Sequence, residues 1–318
     1  MSKVQSQDRQ EPNAQLFSYV FRNSFPFPQD LDPHLEEALR HVLDHPGSLI
    51  RPGMVMAMAA ACGLQADAAR DLAIALEYFH SASLLFDDLP CMDNALERRG
   101  VPCAHRVFGE AGAMLAALSL INRAYALTWR AIAAAGPASA DKQQRAAAYV
   151  EQRLGIDGLL NGQSMDLHYH LLPHTARTTE SIARGKTVSL IRLTLVLPAM
   201  LGDASPRELQ FLERLSVYWG LAYQILDDLK DVLQDANQSG KTSARDVNLD
   251  RPNSAAVLGV AVAIHRAGRL IRAGERALRH LRRVRPGLDF LETLRARLEG
   301  ELIRLSETAL ATVPGERP

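Results

Sequence analysis

Asp87, Asp88 and Asp93 stand close together in LLFDDLPCMDNALERRG, Leu84 to Gly100, at the end of an apolar run. Far along the chain, YQILDDLKDV, Tyr223 to Val232, carries Asp227, Asp228 and Asp231 in a similar setting. Carboxylates at the end of a buried segment are costly unless something cationic meets them. Residues four apart on a helix differ by about 40° of rotation, so Asp227 and Asp231 share a face and repel each other. A cation between them resolves the repulsion. Oxygen ligands of this kind suit Mg²⁺, which keeps several waters and bridges carboxylates to phosphate oxygens. In the first cluster, Pro90 is expected to end the helix close to Asp88 and let the chain fold Asp93 back beside Asp87. Both clusters fall late in a predicted helix, where the macrodipole is negative and adds to the demand for cations.

Basic residues follow each cluster: Arg98 and Arg99 after the first, Lys241, Arg245 and Arg251 after the second. Carboxylates, a divalent metal and cations together are what a diphosphate needs. One acidic cluster alone reads more simply as a solvated helix end. Two clusters, each preceded by an apolar run (SASLLF and GLAYQIL), favour the metal–diphosphate reading.

The elements that must hold these groups are helical. Strand signals are nearly absent, and apolar periodicity runs almost throughout. Helices are expected near 14–22, 30–45, 50–63, 66–89, 109–135, 139–172, 177–202, 206–235, 253–284 and 287–312. Ser205-Pro206-Arg207-Glu208 marks one start, with a cap residue, a proline at the first helical position and a glutamate at the third. The stretch 236–252 resists helix and reads as a polar functional loop. Residues 1–12 and the closing PGERP read as frayed ends. No linker or repeat divides the chain, so 1–318 reads as one all-α domain.

Of 318 residues, 47% are hydrophobic, enough for a sizeable core. The 36 basic and 36 acidic residues balance, which argues against a nucleic-acid binder. Cys62, Cys91 and Cys103 are odd in number and lack C-x-x-C spacing, so neither a disulfide framework nor a zinc site is expected. The N-terminus has no apolar signal core. The most apolar long stretch carries Asn122, Arg123 and Arg130, unlike a membrane span. A soluble, cytoplasmic setting follows as the expectation.

The two acidic motifs resemble the first and second aspartate-rich motifs of the trans-isoprenyl diphosphate synthases, the family of farnesyl and geranylgeranyl diphosphate synthases. Similarity extends through RPGMVMA at Arg51, EYFHSASLLFDD at Glu77, HRVFGEAGAML at His105, GLLNGQSMDL at Gly158, GKTVSLI at Gly185 and GKTSARD at Gly240. The resemblance implies an all-α fold around a central cavity, usually as a homodimer. It implies two aspartate clusters facing each other across the cavity mouth, with three Mg²⁺ on an allylic diphosphate. By position, Asp87 and Asp93 would ligate metal, with Asp88 behind them or a ligand itself, and Asp227 would ligate with Asp228 and Asp231 close by. Arg98, Lys186 and Lys241 would grip the allylic diphosphate. Arg51, His80 and Arg99 would hold isopentenyl diphosphate, and Arg251 replaces the family's loop lysine near the end of the second substrate clamp, which keeps charge but alters geometry. Gln163, Asp166, Thr187 and Gln224 would support the metal–diphosphate shell or the developing carbocation. The implied reaction ionises the allylic diphosphate in a dry pocket and adds the homoallylic double bond, with released diphosphate able to take the final proton.

The chain departs from the family where Gly-Lys-Arg usually precedes the arginine and proline of the first substrate motif. Here Ser48 and Leu49 replace the Lys and Arg before Ile50-Arg51-Pro52. Asn94-Ala95-Leu96-Glu97 is less acidic than usual, and Phe86 stands where His is frequent. Two alternatives therefore stay open beside the condensing synthase: a terpene-synthase-like lyase without condensation, and a weakly active subunit of a heteromeric synthase. Ala82 and Ser83 lie one turn before the first aspartate, where the family sets its pocket floor. Both are small, so Phe79, about one turn deeper, becomes the next stop, or else ordinary core. The expected product is longer than farnesyl, geranylgeranyl diphosphate above all.

The remaining motifs read more plainly. His168, His170 and His174 lack a metal-site spacing and read as solvated. GKTVS and GKTSA lack the strand and glycine pattern of a phosphate-binding loop. ALRHLRRVR at 277–285 reads as a solvated helix face, with a membrane-surface contact as the alternative.

Overall fold

The computed structural model describes residues 11–134, 140–233 and 251–312. Their contacts gather into two compact units, Met1–Ala59 with Gln65–Ser139, and Ala60–Leu64 with Ala140–Pro318.

The first unit contains α1 (Glu11–Asn23), α2 (Pro33–Asp44), α3 (Ile50–Ala61), α4 (Ala66–Asp87) and α5 (Ala104–Ala133). Between α4 and α5 lies a short hairpin, β1 (Glu97–Arg98) and β2 (Val101–Pro102), the only strand pair among the described residues. α4 is the axis of this unit and packs along α5. Every residue from Leu72 to Phe79 is buried, so a single face cannot describe this helix. Full burial of a leucine such as Leu72 or Leu120 contributes about 2 kcal/mol. The buried Tyr78 hydroxyl donates to the Phe21 carbonyl at 2.7 Å.

The second unit contains α6 (Ala140–Leu154), α7 (Leu159–Leu167), α8 (Ala176–Ala183), a π-helical turn (Arg184–Val188), α9 (Ser189–Leu201), α10 (Pro206–Leu233), α11 (Ser254–Leu258), α12 (Val260–Val284) and α13 (Phe290–Thr312). α10 is its axis, with Leu212, Leu215, Trp219, Leu226 and Leu229 buried. Its start is capped as the sequence indicates. Ser205 N–H and hydroxyl donate to Glu208 Oε2 at 2.8 and 2.7 Å, and Glu208 N–H returns a bond to Ser205 Oγ at 3.3 Å.

The all-α expectation holds, with several long helices divided. The span 139–172 breaks at Gly155-Ile156-Asp157-Gly158, which separates α6 from α7. The span 253–284 breaks at Gly259, whose φ of 81° no helix continues. The span 177–202 stays helical but passes through the π turn. α5 starts five residues before the expected 109, and Gly109 (φ 73°) kinks it there. Glu11 and Pro12 belong to α1 rather than to a frayed end. Most of the polar stretch 236–252 lies outside the described residues, as do 1–10 and PGERP. Among the described residues no helix is long and apolar enough to cross a membrane.

Candidate functional site

α4 ends at Asp87, and Asp88 is its cap. Pro90 then turns the chain back. Asp93 N–H donates to the Asp87 carbonyl at 2.9 Å and Ala95 N–H to that of Asp88 at 3.1 Å, so Asp93 stands beside Asp87 as expected. Asp87 and Asp93 are half-buried, while Asp88 turns inward and is buried. Arg98 meets Asp88 with a fork: Nη2 donates to Oδ1 at 2.5 Å, and Nε to Oδ1 and Oδ2 at 3.0 and 3.2 Å.

The hairpin explains how adjacent arginines take separate places. Arg98 lies on β1, paired with Val101. Arg99 and Gly100 form the two-residue loop with φ of 56° and 81°, the signs a type I′ turn requires. Holding a non-glycine residue there costs about 1 kcal/mol. It sends the Arg99 side chain away from Asp88, and its Nη1 donates to the His45 carbonyl at 2.9 Å. The guanidinium lies against Gly47, where an added Cβ would come within 2.7 Å of it.

Arg51 and Arg99 converge on Glu77. Their Nη atoms lie 3.9 and 3.8 Å from its two oxygens. Glu77 is buried, and burial raises its pKa above the usual carboxylate range although both arginines pull it down. His80, one turn further along α4, is pushed down to about 2, first by burial and then by Arg51, Arg99 and Arg98. It is therefore neutral at any working pH. Arg51, Arg99 and Arg98 thus all bear on His80 electrostatically, while Arg51 and Arg99 pair with Glu77 and Arg98 with Asp88. The sequence reading missed Glu77, although a lone acid in LAIALEYFHSASLLF was a visible signal.

Deeper in α4, Ala82 and Phe79 are buried, and Ser83 turns its hydroxyl back to the His80 carbonyl at 2.8 Å. Phe79 meets Tyr125 of α5 edge-on, centroids 4.9 Å apart, and Tyr125 stacks on Trp129 at 5.9 Å. Tyr125 was also missed, since nothing in sequence spacing links it to α4.

In the second unit, Asp227 is exposed, Asp231 half-buried and Asp228 buried. Both Asp228 oxygens accept protein hydrogen bonds, from Gln224 Nε2 at 2.9 Å and from the Ser254 amide at 2.7 Å. Asn253 Nδ2 donates to the Asp228 carbonyl at 3.1 Å. Burial lifts the Asp228 carboxyl to about 6, against the Gln224 and Ser254 bonds and with help from the Asp227 charge. Gln224 Oε1 in turn accepts from the Thr187 hydroxyl at 2.5 Å.

Thr187 lies on the π turn, a distortion that recurs at functional sites. The turn meets α7 backbone to backbone. A Cβ on Gly162 would fall 2.4 Å from the Lys186 nitrogen, and one on Gly185 would fall 2.7 Å from the Gly162 Cα. This contact brings Lys186 Nζ to 2.9 Å from Asp166 Oδ2. Arg251 Nη1 donates to the Asp166 carbonyl at 3.3 Å, and Gln163 is half-buried on the same helix. Lys241 lies outside the described residues.

Half-buried and exposed carboxylates at helix ends, Asp87, Asp93, Asp227 and Asp231, suit magnesium. Among the described residues, no three Asp, Glu, His or Cys side chains gather tightly enough to hold an ion alone. Magnesium would draw the rest of its shell from water and substrate oxygens, as it commonly does. His168, His170 and His174 are exposed, with His174 stacked on Tyr169 at 4.2 Å.

Residues 32–275 match the model of the polyprenyl synthetase family. The chain is 33% identical over 247 residues to a putative geranylgeranyl pyrophosphate synthase 8 of Arabidopsis thaliana, covering 77% of this chain and 68% of that one. It is 36% identical over 211 residues to a geranylgeranyl diphosphate synthase of Pseudescherichia vulneris, covering 66% of each. Among solved structures it resembles an FPP/GFPP synthase of Zymomonas mobilis, with TM-score 0.74 and 26% identity over 92% of this chain and 98% of that one. The match covers both acidic motifs and all the elements that carry them, and the chain belongs to the polyprenyl synthetase family.

Proposed function

We propose that the protein condenses an allylic diphosphate with isopentenyl diphosphate to make geranylgeranyl diphosphate. The observation that carries this reading is the convergence of Arg51 and Arg99 on Glu77, in the same unit as the Asp87–Asp93 pair. Guanidinium groups at that density need an anion above them. Arg51 and Arg99 also stop short of close contact with Glu77. Such a cluster would supply a second diphosphate site beside a metal-binding one, which a condensation needs and a lyase does not.

In this reading Asp87 with Asp93, and Asp227 with Asp231, would each hold magnesium, three ions in all by the family resemblance, and the metal would supply positive charge for a departing diphosphate. Asp88 and Asp228 position their neighbours through Arg98 and through Gln224 and Ser254. Lys186 and Lys241 grip the allylic diphosphate. Arg51, His80 and Arg99 orient isopentenyl diphosphate, and Arg251 bonds the backbone of Asp166, the partner of Lys186. Thr187, Gln224 and Gln163 face the developing positive charge or its metal shell. Phe79 closes the pocket below Ala82 and Ser83. We read the assembly as a homodimer, because Met114, Leu115, Leu118 and Trp129 leave α5 with an exposed apolar face. A cytoplasmic setting fits the unpatterned cysteines.

The test is an incubation of the purified chain with Mg²⁺ and farnesyl diphosphate, with and without isopentenyl diphosphate. A longer diphosphate formed only when both are present is the expected result. A hydrocarbon or alcohol from the allylic substrate alone makes the protein a lyase. Turnover only after a second protein is added makes it a subunit.

A further inference from the structure

α12 carries seven arginines and a single acid, Glu275. Arg266 is paired with Glu180, and Arg282 with Asp289 and Glu292. The other five, Arg269, Arg272, Arg276, Arg279 and Arg283, are exposed, and none has a carboxylate partner among the described residues. Their spacing of three, four, three and four places them within about 80° of the helix circumference, along about 21 Å of its length. His280 borders the row. Phe211 of α10 stacks on its ring at 5.0 Å and carries exposed Arg214 6.0 Å from its own centroid. A sixth unpaired guanidinium therefore stands beside the row. Like charges held this close repel, and this chain has no net charge overall, so the row is a local concentration.

We propose that this row docks the protein on an anionic lipid bilayer. Its shape and chemistry select that partner. A straight row on a convex helix meets a flat surface along its whole length, and lipid headgroups accept point charges without register. A protein partner needs buried apolar anchors, and no large apolar residue is exposed from Ala263 to Arg283. A nucleic-acid site pairs its cations with polar side chains aimed at sugars and bases. α12 has no Asn, Gln, Ser, Thr or Lys. The contact is thus peripheral and electrostatic, with no insertion. It does not depend on the proposed activity.

Sedimentation of the full chain with vesicles tests this. One set is phosphatidylcholine alone, and the other is equal parts phosphatidylcholine and phosphatidylglycerol. The protein is expected to sediment with the anionic vesicles only and to be released at about 1 M salt, where screening shortens to about 3 Å. Arg272→Gln, Arg276→Gln and Arg279→Gln together should weaken partition about a hundredfold. The same three positions changed to Lys should retain it, which separates charge from folding. Equal sedimentation with neutral vesicles, or full retention by the triple Gln variant, overturns the proposal. So does tighter capture by a duplex oligonucleotide or by polyglutamate than by anionic vesicles of matched charge.

Discussion

The Thr187 hydroxyl donates to Gln224 Oε1 at 2.5 Å, and through Gln224 it fixes the carboxylate of Asp228. The other Asp228 oxygen holds the first amide of α11. One chain of bonds thus joins the π turn, α10 and α11. Thr187→Val keeps the side-chain shape and removes the donor. It should lower the unfolding free energy by about 1 kcal/mol and reduce kcat, and Thr187→Ser should restore both. Urea unfolding beside steady-state kinetics reads the two effects. An unchanged kcat in the valine variant would confine the bond to stability.

Asp88 is buried, and Arg98 is its counter-ion. Arg98→Gln strands that charge and should destabilise the protein by about 2 kcal/mol, below the range for a fully buried pair because the guanidinium is a third open to water. Asp88→Asn combined with Arg98→Gln should cost less than the sum of the single changes. A strictly additive double-mutant cycle would show that the fork contributes nothing of its own.

Ser48 stands one residue from Gly47, on which the Arg99 guanidinium rests. A lysine here returns a cation to the edge of the arginine cluster. Ser48→Lys should lower the KM for isopentenyl diphosphate about tenfold, the worth of one charge-assisted contact, and leave the KM for the allylic substrate unchanged. Steady-state kinetics with each substrate varied in turn checks this.

Phe79 and Tyr125 meet edge to face beneath Ala82. Phe79→Ala opens that level and should shift the product to a longer chain. Tyr125→Ala should do the same to a smaller degree, because it removes the wall behind Phe79. Chromatography of the dephosphorylated products reads both. A product distribution unchanged in both variants would make the pair ordinary core.

Glu208 lies in the first turn of α10, at the opposite end of that helix from Asp227. Arg285 Nε donates to it at 2.7 Å, and that bond, with those from Ser205, holds its carboxyl down at about 2 from an ordinary 4.5. A carboxyl depressed in the folded state stabilises it fully above about pH 4.5, and that contribution disappears as pH falls toward 2. Thermal unfolding should therefore show a stability loss across this window that is shallower in Glu208→Gln. Parallel curves for the two proteins would remove Glu208 from the account.

Much of this was legible in one sequence. The Asp87–Asp93 turn followed from Pro90, the α10 start from its capping box, and the helical class from periodicity. What escaped depended on contacts remote in sequence. Glu77 reads as an anomaly until Arg51 and Arg99 are seen to converge on it. Asn253 and Ser254 gain meaning only once Asp228 is known to point inward. The π turn carries no periodic signal, because inserting one residue in a helix leaves the apolar pattern intact on both sides. The arginine row was half seen, since ALRHLRRVR mixes Arg282, which is paired, with Arg279 and Arg283, which are not.

Cys91 is exposed directly after Pro90, whereas Cys62 and Cys103 are buried, and burial lifts the Cys62 thiol to about 11. A thiol-directed reagent will therefore label a single position in the native chain. That position lies in the turn between Asp87 and Asp93. A fluorophore placed there sits between the two carboxylates proposed to hold metal, so the unmodified sequence already offers an optical handle on ion loading that needs no turnover.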